Sequence, residues 1–347
     1  MVSIVRAPMT LHTTMPPSPS DTPRDERASA PAEPTHPFPT DISLAEQLRA
    51  GTVLVAVKEG PELAAPVRVA AALARRYGAA VEAIQVIDIS NAAFPTPLPS
   101  MFTLARDLLG DAPYAEDARA RRRQFTDLLG EPNEWPVHIA LGTPAQEILR
   151  YAERQGVALI VMGLRRHGFA DRVFRDETTL TVARRARATV MGVVPELQGL
   201  PRRAVVGVDF GPASIRAARA ALDVLAQPTD GEVASLLLAY VDPLPVDPVR
   251  EETAGEVVVR QLGVAAAFEQ LVRDLNAPPS VTVESAVLRG APGAQLLELA
   301  VARSADLIAV GSQRHERLDR WILGSVTTEI VRDGRCSVLV IPPRRSG

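Results

Sequence analysis

Cysteine is almost absent from this chain of 347 residues, since Cys336 is the only one. A single cysteine allows no internal disulfide and cannot supply a metal site built from several thiolates. We therefore expect a protein of a reducing compartment, the cytoplasm. Cys336 begins an apolar run, so we interpret it as a small buried residue and not as a reactive thiol.

The chain also has no excess of positive charge and few aromatic side chains. The net charge is −3, and Phe, Trp and Tyr together make up 4% of the residues. Proteins that bind nucleic acid neutralise phosphates with basic surfaces, and those that bind single strands stack bases on aromatic rings. The composition therefore argues against a nucleic-acid partner.

No apolar run reaches the roughly 18 residues that a membrane helix needs. The N-terminus lacks the apolar core of a signal peptide, because Arg6, Pro8 and Thr10 interrupt it. We expect no membrane partner.

Proline is dense near the N-terminus, with eight between Pro16 and Pro39. Such a stretch lacks backbone donors and offers little apolar surface to offset its ordering entropy. We therefore predict a disordered tail over residues 1–46.

From residue 51 onward, short apolar runs alternate with longer amphipathic stretches. The predicted strands are 52–57, 80–87, 136–141, 158–163, 189–194, 203–208, 233–240, 281–287, 306–311 and 337–341. The predicted helices are 61–77, 103–129, 143–155, 177–187, 212–226, 251–275, 291–303 and 324–333. Continuously apolar strands that alternate with helices are typical of parallel sheets covered on both faces. The pattern predicts an α/β protein with two doubly wound, five-stranded parallel-sheet domains in tandem, 47–196 and 202–343.

The two halves repeat each other at one offset of 148 residues. The matching pairs are Gly142 and Gly290, Pro144 and Pro292, Gly163 and Gly311, Arg166–His167 and Arg314–His315, and Asp171–Arg172 and Asp319–Arg320. This period equals one domain and is too long for a solenoid repeat. The strands 189–194 and 337–341 are apolar edges, so we expect the two halves to pair through them.

Three features of the second half are predicted to meet at the carboxyl ends of its strands. Asp209 follows the first strand, Gly311 ends the fourth, and Gly324, Ser325 and Val326 open the last helix. Open parallel sheets bind ligands at the carboxyl ends of their strands, and the first amides of a helix favour phosphate. We expect Gly311 to let a ligand approach the backbone closely.

The second half resembles the universal stress protein family, whose signature is G-x2-G-x9-G-[S/T] between the fourth strand and fourth helix. Here it reads Gly311, two residues, Arg314, nine residues, then Gly324 and Ser325. The segments RGAPGAQLLELA, ADLIAVGS and CSVLVIP are also similar to the family. The resemblance covers residues 50–343 and implies the Rossmann-like, adenine nucleotide α-hydrolase-like fold.

The resemblance also implies a stress-response protein, not an enzyme, that binds ATP or a related adenine nucleotide, with Mg²⁺ accompanying ATP. Adenine would lie near Asp209 and Val241, and the phosphates near Gly311, Gly324, Ser325 and Val326. Family members of this kind dimerise and are expected to act through a protein partner.

The first half has lost most of the signature. Lys58 stands in place of the strand-one aspartate, and Asp176 and Glu177 replace the glycine and serine that open the last helix. Two carboxylates would repel a triphosphate, so we predict no nucleotide site in this half.

Arg314 replaces the second glycine of the signature and has two interpretations. Its guanidinium could contact phosphate directly. Alternatively, it could pair with Asp319 to brace the loop, as Arg166 would with Asp171 in the first half. Because the arginine persists in the half without a phosphate loop, the bracing role is favoured.

Several alternatives stay open at the level of sequence. Asp209 and Ser325 could each cap a helix and bind nothing. The chain has no P-loop, no dinucleotide-binding glycine loop and no nucleophile elbow. A nucleotide-free interaction scaffold and a weak ATPase therefore remain the competing functions, and no metal site is expected at His167 or His315.

Overall fold

Strands and helices alternate through the computed structural model, which describes residues 3–5, 43–58, 60–88, 115–164, 177–227, 233–242, 254–312 and 324–343. The first half follows a short strand, β1, and an N-terminal helix, α1. Its elements are β1 (Ser3–Val5), α1 (Leu44–Ala50), β2 (Thr52–Val57), a 3-10 turn (Pro61–Leu63), α2 (Ala64–Tyr77), β3 (Ala80–Asp88), α3 (Ala115–Leu129), β4 (Val137–Gly142), α4 (Pro144–Gln155), β5 (Leu159–Gly163), α5 (Glu177–Arg185) and β6 (Thr189–Val193).

The second half repeats the same succession. Its elements are β7 (Arg203–Gly207), α6 (Pro212–Val224), β8 (Ala234–Asp242), α7 (Ala254–Leu275), β9 (Val281–Arg289), α8 (Pro292–Ala302), β10 (Leu307–Gly311), α9 (Ser325–Asp333) and β11 (Ser337–Ile341). The ten predicted strands are therefore confirmed, with ends that differ by two residues at most. The predicted helix 103–129 is confirmed from Ala115 onward, and residues 103–114 lie outside the described part of the chain.

All eleven strands of the described residues form one sheet, in the order β1-β9-β8-β7-β10-β11-β6-β5-β2-β3-β4. Within each half the repeated strands are parallel and follow the doubly wound order 3-2-1-4-5. The halves meet where β6 pairs with β11 antiparallel, with Leu339 opposite Met191. These are the two apolar edges that the sequence predicts will pair.

The repeat of 148 residues is visible in the backbone as well as in the sequence. β5 and β10, β6 and β11, and α5 and α9 have equivalent ends at this offset. Gly142 and Gly290 both have positive φ, 147° and 131°. A residue with a Cβ would be strained in either turn, which explains why both copies keep glycine there.

Helices cover both faces of the sheet, and each face has one continuous core that runs through both halves. The first core is formed with α1, α2, α3, α6 and α7, and the second with α4, α5, α8 and α9. The strands between them are buried on both sides; every residue of β6 and β11 is buried. This is why the strands read as unbroken apolar runs.

The prediction of a disordered tail over residues 1–46 is wrong at both of its ends. Ser3–Val5 forms an antiparallel edge strand against β9, so the second half has six strands and not five. At the other end, Ser43 and Glu46 form a capping box that starts α1. Leu48 of α1 is fully buried, so this helix belongs to the core. Residues 6–42 lie outside the described residues.

Helices α1 and α2 of the N-terminal part hold the end of α6 in the second half. The Ala45 amide donates to Oδ2 of Asp223 at 2.9 Å, and the Tyr77 hydroxyl donates to the Asp223 carbonyl at 2.6 Å. Nη1 of Arg76 donates to the Leu225 carbonyl. A second junction therefore joins the halves, independent of the β6–β11 pairing.

Two groups at this junction have shifted pKa values. Burial raises the pKa of Tyr77 to about 12. Burial also raises the pKa of the Asp223 carboxyl, and this effect exceeds the opposing effects of the Ala45 hydrogen bond and of the Arg76 and Arg49 charges. The folded chain thus holds the Asp223 proton more tightly than the unfolded chain does.

This junction predicts a pH-dependent difference between the wild-type chain and Asp223→Asn. A carboxyl with a raised folded pKa stabilises the fold below its unfolded pKa, and this contribution is lost as pH rises through the folded value. Asparagine keeps an acceptor oxygen for the Ala45 amide and does not titrate. We therefore expect the wild type to lose stability relative to the variant as the pH rises above about 4, the ordinary pKa of an aspartate, measured by urea unfolding at a series of pH values. Asp127→Asn, on the exposed surface of α3, controls for the loss of one carboxylate. The prediction would be contradicted if the wild type became more stable relative to Asp223→Asn as the pH rises.

Candidate functional site

The predicted site residues of the second half lie at the point where the strand order reverses. β7 has β8 on one side and β10 on the other. Asp209 follows β7, Val241 lies near the end of β8, Gly311 ends β10, and Gly324 precedes α9. In doubly wound sheets this is the crevice where ligands bind.

Asp209 braces the turn between β7 and α6. Its Oδ1 accepts hydrogen bonds from the Gly211 amide at 2.9 Å and from the Ser214 hydroxyl at 2.7 Å. The residue that caps α6 is Gly211, which has no side-chain cap. Asp209 is therefore not the helix cap itself, although one of its oxygens shapes the start of α6.

Phe210, which the sequence analysis missed, fixes the conformation of the same turn. Its φ is 60°, a region that non-glycine residues rarely adopt. The ring stacks on Tyr240 with centroids 5.5 Å apart and meets the edge of Phe268 at 5.0 Å. A strained backbone of this kind costs about 1 kcal/mol or more and persists where packing holds it. The aromatic contacts thus hold the turn that carries Asp209.

Val241 and Asp242 end β8 in different environments. The Val241 side chain is buried in the core on the face of the sheet that α8 covers. Asp242 lies 3.3 Å from Nη2 of Arg260 and 3.7 Å from Nε of Arg289. This charged group was not identified from sequence, because its members come from α7, β8 and β9 and have no shared spacing.

Packing against α6 requires glycine at position 311, and the expectation that Gly311 lets a ligand approach the backbone stays a prediction. A Cβ at this position would lie 2.3 Å from the Ala213 carbonyl oxygen and 2.8 Å from its Cβ, in the first turn of α6. Gly163 is under a milder constraint of the same kind in the first half, where a Cβ would lie 3.2 Å from the Glu62 carbonyl oxygen. This tight contact favours glycine at Gly163 even in the half that lost the signature.

The described residues place no comparable packing requirement on Gly324. Its φ and ψ are −56° and 155°, which any residue can adopt, and a Cβ there would have no neighbour within 4 Å among the described atoms. It is the N-cap of α9 and supplies no side-chain hydrogen bond. Ser325 is the first helical residue, so the alternative that Ser325 caps the helix is wrong.

The start of α9 is open to solvent and adjoins the first half. Gly324 and Ser325 are exposed, and Val326 is half-buried against the core. Nη2 of Arg184, in the last turn of α5, lies 3.5 Å from the Thr328 hydroxyl. The first half therefore places a cation beside the first turn of α9.

The matching place in the first half has a different chemical character. Lys58, which follows β2, is exposed, and Glu177 is the exposed first residue of α5. A carboxylate thus occupies the position that Ser325 has in the second half.

Several residues singled out from sequence lie outside the described residues. They are Arg166, His167, Asp171, Asp176, Arg314, His315 and Asp319. Both interpretations of Arg314 therefore remain predictions. Among the residues that are described, no three His, Cys, Asp or Glu side chains form a group that could hold a metal ion. No helix in the same part of the chain is long and apolar enough to cross a membrane.

Comparison with known proteins gives two matches to one family. The sequence profile of the Universal stress protein family matches residues 50–193 and again 201–342. A universal stress protein of Mycolicibacterium smegmatis is 26% identical over 298 residues, which cover 84% of this chain and 97% of that protein. One from Methanocaldococcus jannaschii is 27% identical over 147 residues, 42% of this chain and 84% of its own length.

A solved structure shows the same fold. The crystal structure of a universal stress protein from Archaeoglobus fulgidus aligns with a TM-score of 0.53 at 18% identity. The alignment covers 85% of this chain and 99% of that chain. The tandem arrangement therefore occurs in a second protein of similar fold.

The two glycines of the site predict opposite responses to alanine. Gly311→Ala forces a Cβ into the α6 backbone, and overpacking of this kind costs about 1–3 kcal/mol. Gly324→Ala adds a methyl group that meets no described atom, so the added volume should change the free energy of unfolding by less than about 0.5 kcal/mol. Because alanine is a poorer N-cap than glycine, a small further loss is expected from the cap position itself. Urea unfolding of both variants tests this, and equal destabilisation would contradict the packing role of Gly311.

Proposed function

Because this chain belongs to the universal stress protein family, we propose that its second half binds ATP or a related adenine nucleotide and that the bound state changes its interaction with a protein partner. The proposed role is non-enzymatic. The hydroxyl–carboxylate pair of the crevice, Ser214 and Asp209, holds the turn before α6, and the Ser214 side chain is buried. The single cysteine favours action in the cytoplasm.

The observation that carries the proposal is the start of α9. The fold requires glycine at Gly311 but not at Gly324, where backbone conformation and the described packing would accept a side chain. Backbone amides at a helix N-terminus bind phosphate, and a glycine there lets the phosphate come close to them. Gly324 is suited to this role because the described packing does not require glycine at its position. The described structure therefore supports a phosphate position at Gly324 more strongly than at Gly311.

Electrostatics favour the second half over the first. The N-terminus of α9 has no acidic residue in its first turn, whereas α5 begins with Glu177. A helix N-terminus carries partial positive charge, and a carboxylate there would repel a phosphate. Arg184 adds a cation near α9.

The proposed contacts divide the nucleotide between the strand ends and the helix. Asp209 and the main chain of Val241 would contact the adenosine part, because the Val241 side chain is buried. The amides of Ser325 and Val326 would hold phosphates, with Arg314 beside them. Mg²⁺ would enter with ATP and add positive charge at the phosphates.

A second candidate is a scaffold of the same family that binds no nucleotide. It is favoured by Asp209, whose Oδ1 is engaged by Gly211 and Ser214, and by Arg314 at a signature glycine position. Mass spectrometry of small molecules released from purified, denatured protein separates the two candidates. A co-purified adenine nucleotide supports the first, and its absence together with no ATP binding supports the second.

Calorimetric titration of the full chain with ATP and Mg²⁺ should give one site per chain. Gly324→Asp should abolish binding, because a carboxylate would face the phosphates. Thr143→Asp makes the same kind of change at the exposed N-cap of α4 in the first half, and it should leave binding unchanged. Two equivalent sites per chain, or equal effects of the two aspartates, would contradict the proposal.

The role of Arg314 is tested by Arg314→Gly, which restores the family signature. If Arg314 braces its loop, ATP binding should be equal or tighter, because the backbone is freed and no phosphate contact is lost. A charge-assisted hydrogen bond contributes about 1.5–3 kcal/mol, so loss of a phosphate contact would weaken binding by roughly tenfold or more. That outcome, with circular dichroism unchanged, would make Arg314 a ligand residue.

A further inference from the structure

The helix α7 exposes apolar side chains on the side that is turned away from the core. Val258, Val259 and Leu262 are 52%, 71% and 65% exposed, and the neighbouring Ala265 and Ala266 are exposed as well. Residues three and four apart lie next to each other on a helix, so these side chains form one continuous surface, the apolar face of α7. Single exposed apolar residues are normal, whereas a continuous apolar patch is typical of a binding surface.

The corresponding helix of the first half shows that the shared fold does not require this surface. α3 follows β3 and precedes β4, as α7 follows β8 and precedes β9. The exposed side chains of α3 include Glu116, Arg119, Arg122 and Arg123. Charged residues of this kind are expected on the side of a helix that faces water. The apolar face of α7 is therefore a property of the second half alone.

Residues 6–42 begin and end on either side of α7. At one end, β1 pairs with β9 at the edge of the sheet. At the other end, α1 packs on α6, and α6 in turn packs on α7. The helices α1, α6 and α7 contribute to one core and thus cover the same face of the sheet. The chain from β1 to α1 therefore starts beside α7 and finishes beyond α6.

This connection is much longer than its ends require. The sheet order places β1 three strand positions from β7, which is about 15 Å at the usual strand spacing. Residues 6–42 can extend over roughly 120 Å. Their length therefore allows them to follow the outer surface of α7 on the way to α1.

The larger apolar side chains of this segment are near its two ends. Met9, Leu11 and Met15 follow β1, and Phe38 and Ile42 precede α1. Residues 16–37 between them have no apolar residue larger than alanine apart from proline. The set beside β1 is the nearer one to α7, because β1 pairs with β9 and α7 leads into β9. Methionine suits an irregular apolar surface, because its side chain is unbranched and flexible.

A second copy of the chain fits the apolar face of α7 less well. Stable interfaces between proteins bury about 800 Å² on each partner. The apolar face of α7 extends over residues 258–266, only about 12 Å of helix. A segment of the same chain needs less buried area, because its tether gives it an effective concentration of about millimolar.

We propose that residues 9–15 dock on the apolar face of α7, with Met9, Leu11 and Met15 against Val259 and Leu262. The N-terminal segment thus binds the second half twice, through β1 at the edge of the sheet and through residues 9–15 on α7.

Methionine oxidation in the full chain tests this proposal. Hydrogen peroxide converts accessible methionine to its sulfoxide, and mass spectrometry measures the rate at each position. We expect Leu262→Glu to raise the oxidation rates of Met9 and Met15 by about threefold or more, because a carboxylate is costly to cover with apolar side chains. Met162 and Met191 are buried in the core and should oxidise slowly in both proteins, which reports that the fold is intact.

The matched control is Val301→Glu. It introduces the same charge at a valine that is 57% exposed, on α8 and so on the opposite face of the sheet. The oxidation rates of Met9 and Met15 should be unchanged in this variant. Leu11→Ser is the reciprocal change in the segment and should raise both rates as Leu262→Glu does. It leaves α7 intact and serves if the α7 variant does not fold.

The dependence on protein concentration separates the segment from a second copy. Protection of Met9 and Met15 should be the same at every concentration, because the segment is tethered. Equal oxidation rates in the wild type and in Leu262→Glu would overturn the proposal. Protection that increases with concentration, together with a dimer that Leu262→Glu dissociates in sedimentation, would assign the apolar face of α7 to a second copy and overturn it as well.

Discussion

Backbone hydrogen bonds between β6 and β11 join two sheets that would otherwise each end in an apolar edge. All five residues of each strand are buried. If these edges were exposed, their backbone amides and carbonyls would be unpaired beside apolar side chains. Such an edge can pair with another chain and cause aggregation. Their pairing satisfies these groups and makes both cores continuous across the halves. The contact of α1 with Asp223 of α6 joins the halves at a second, separate place.

The antiparallel direction of this pairing decides where the two halves present their chemistry. Because the pairing is antiparallel, the carboxyl ends of the strands of one half lie on the same side of the sheet as the amino ends of the strands of the other half. The start of α9 and the start of α5 therefore lie at opposite ends of the strands. The last turn of α5 instead comes beside the first turn of α9, and Arg184 approaches Thr328. A nucleotide site in the second half would thus include a charge from the first.

The duplicated fold separates structural residues from those free to change. Gly163 and Gly311 both lie close to the backbone of the segment that follows the first strand of their half, and both copies keep glycine there. A Cβ at Gly324 would meet none of the described atoms within 4 Å, and its counterpart in the first half, Asp176, is acidic. Glycine is thus kept where a Cβ would meet neighbouring backbone, and it has changed where the described residues leave room for a side chain.

Much of this architecture was determined by the sequence alone: apolar runs marked the ten repeated strands, and paired glycines marked the repeat, because burial and positive φ restrict residue type locally. Only the tertiary structure decided the rest. The capping box at Ser43 was readable but concealed by the proline-rich segment before it, and β1 is too short to show a period. The contacts of Phe210, the charged group at Asp242 and the packing that requires Gly311 join residues distant in the chain. No spacing in a single sequence encodes such contacts, because they depend on which elements the sheet order brings together.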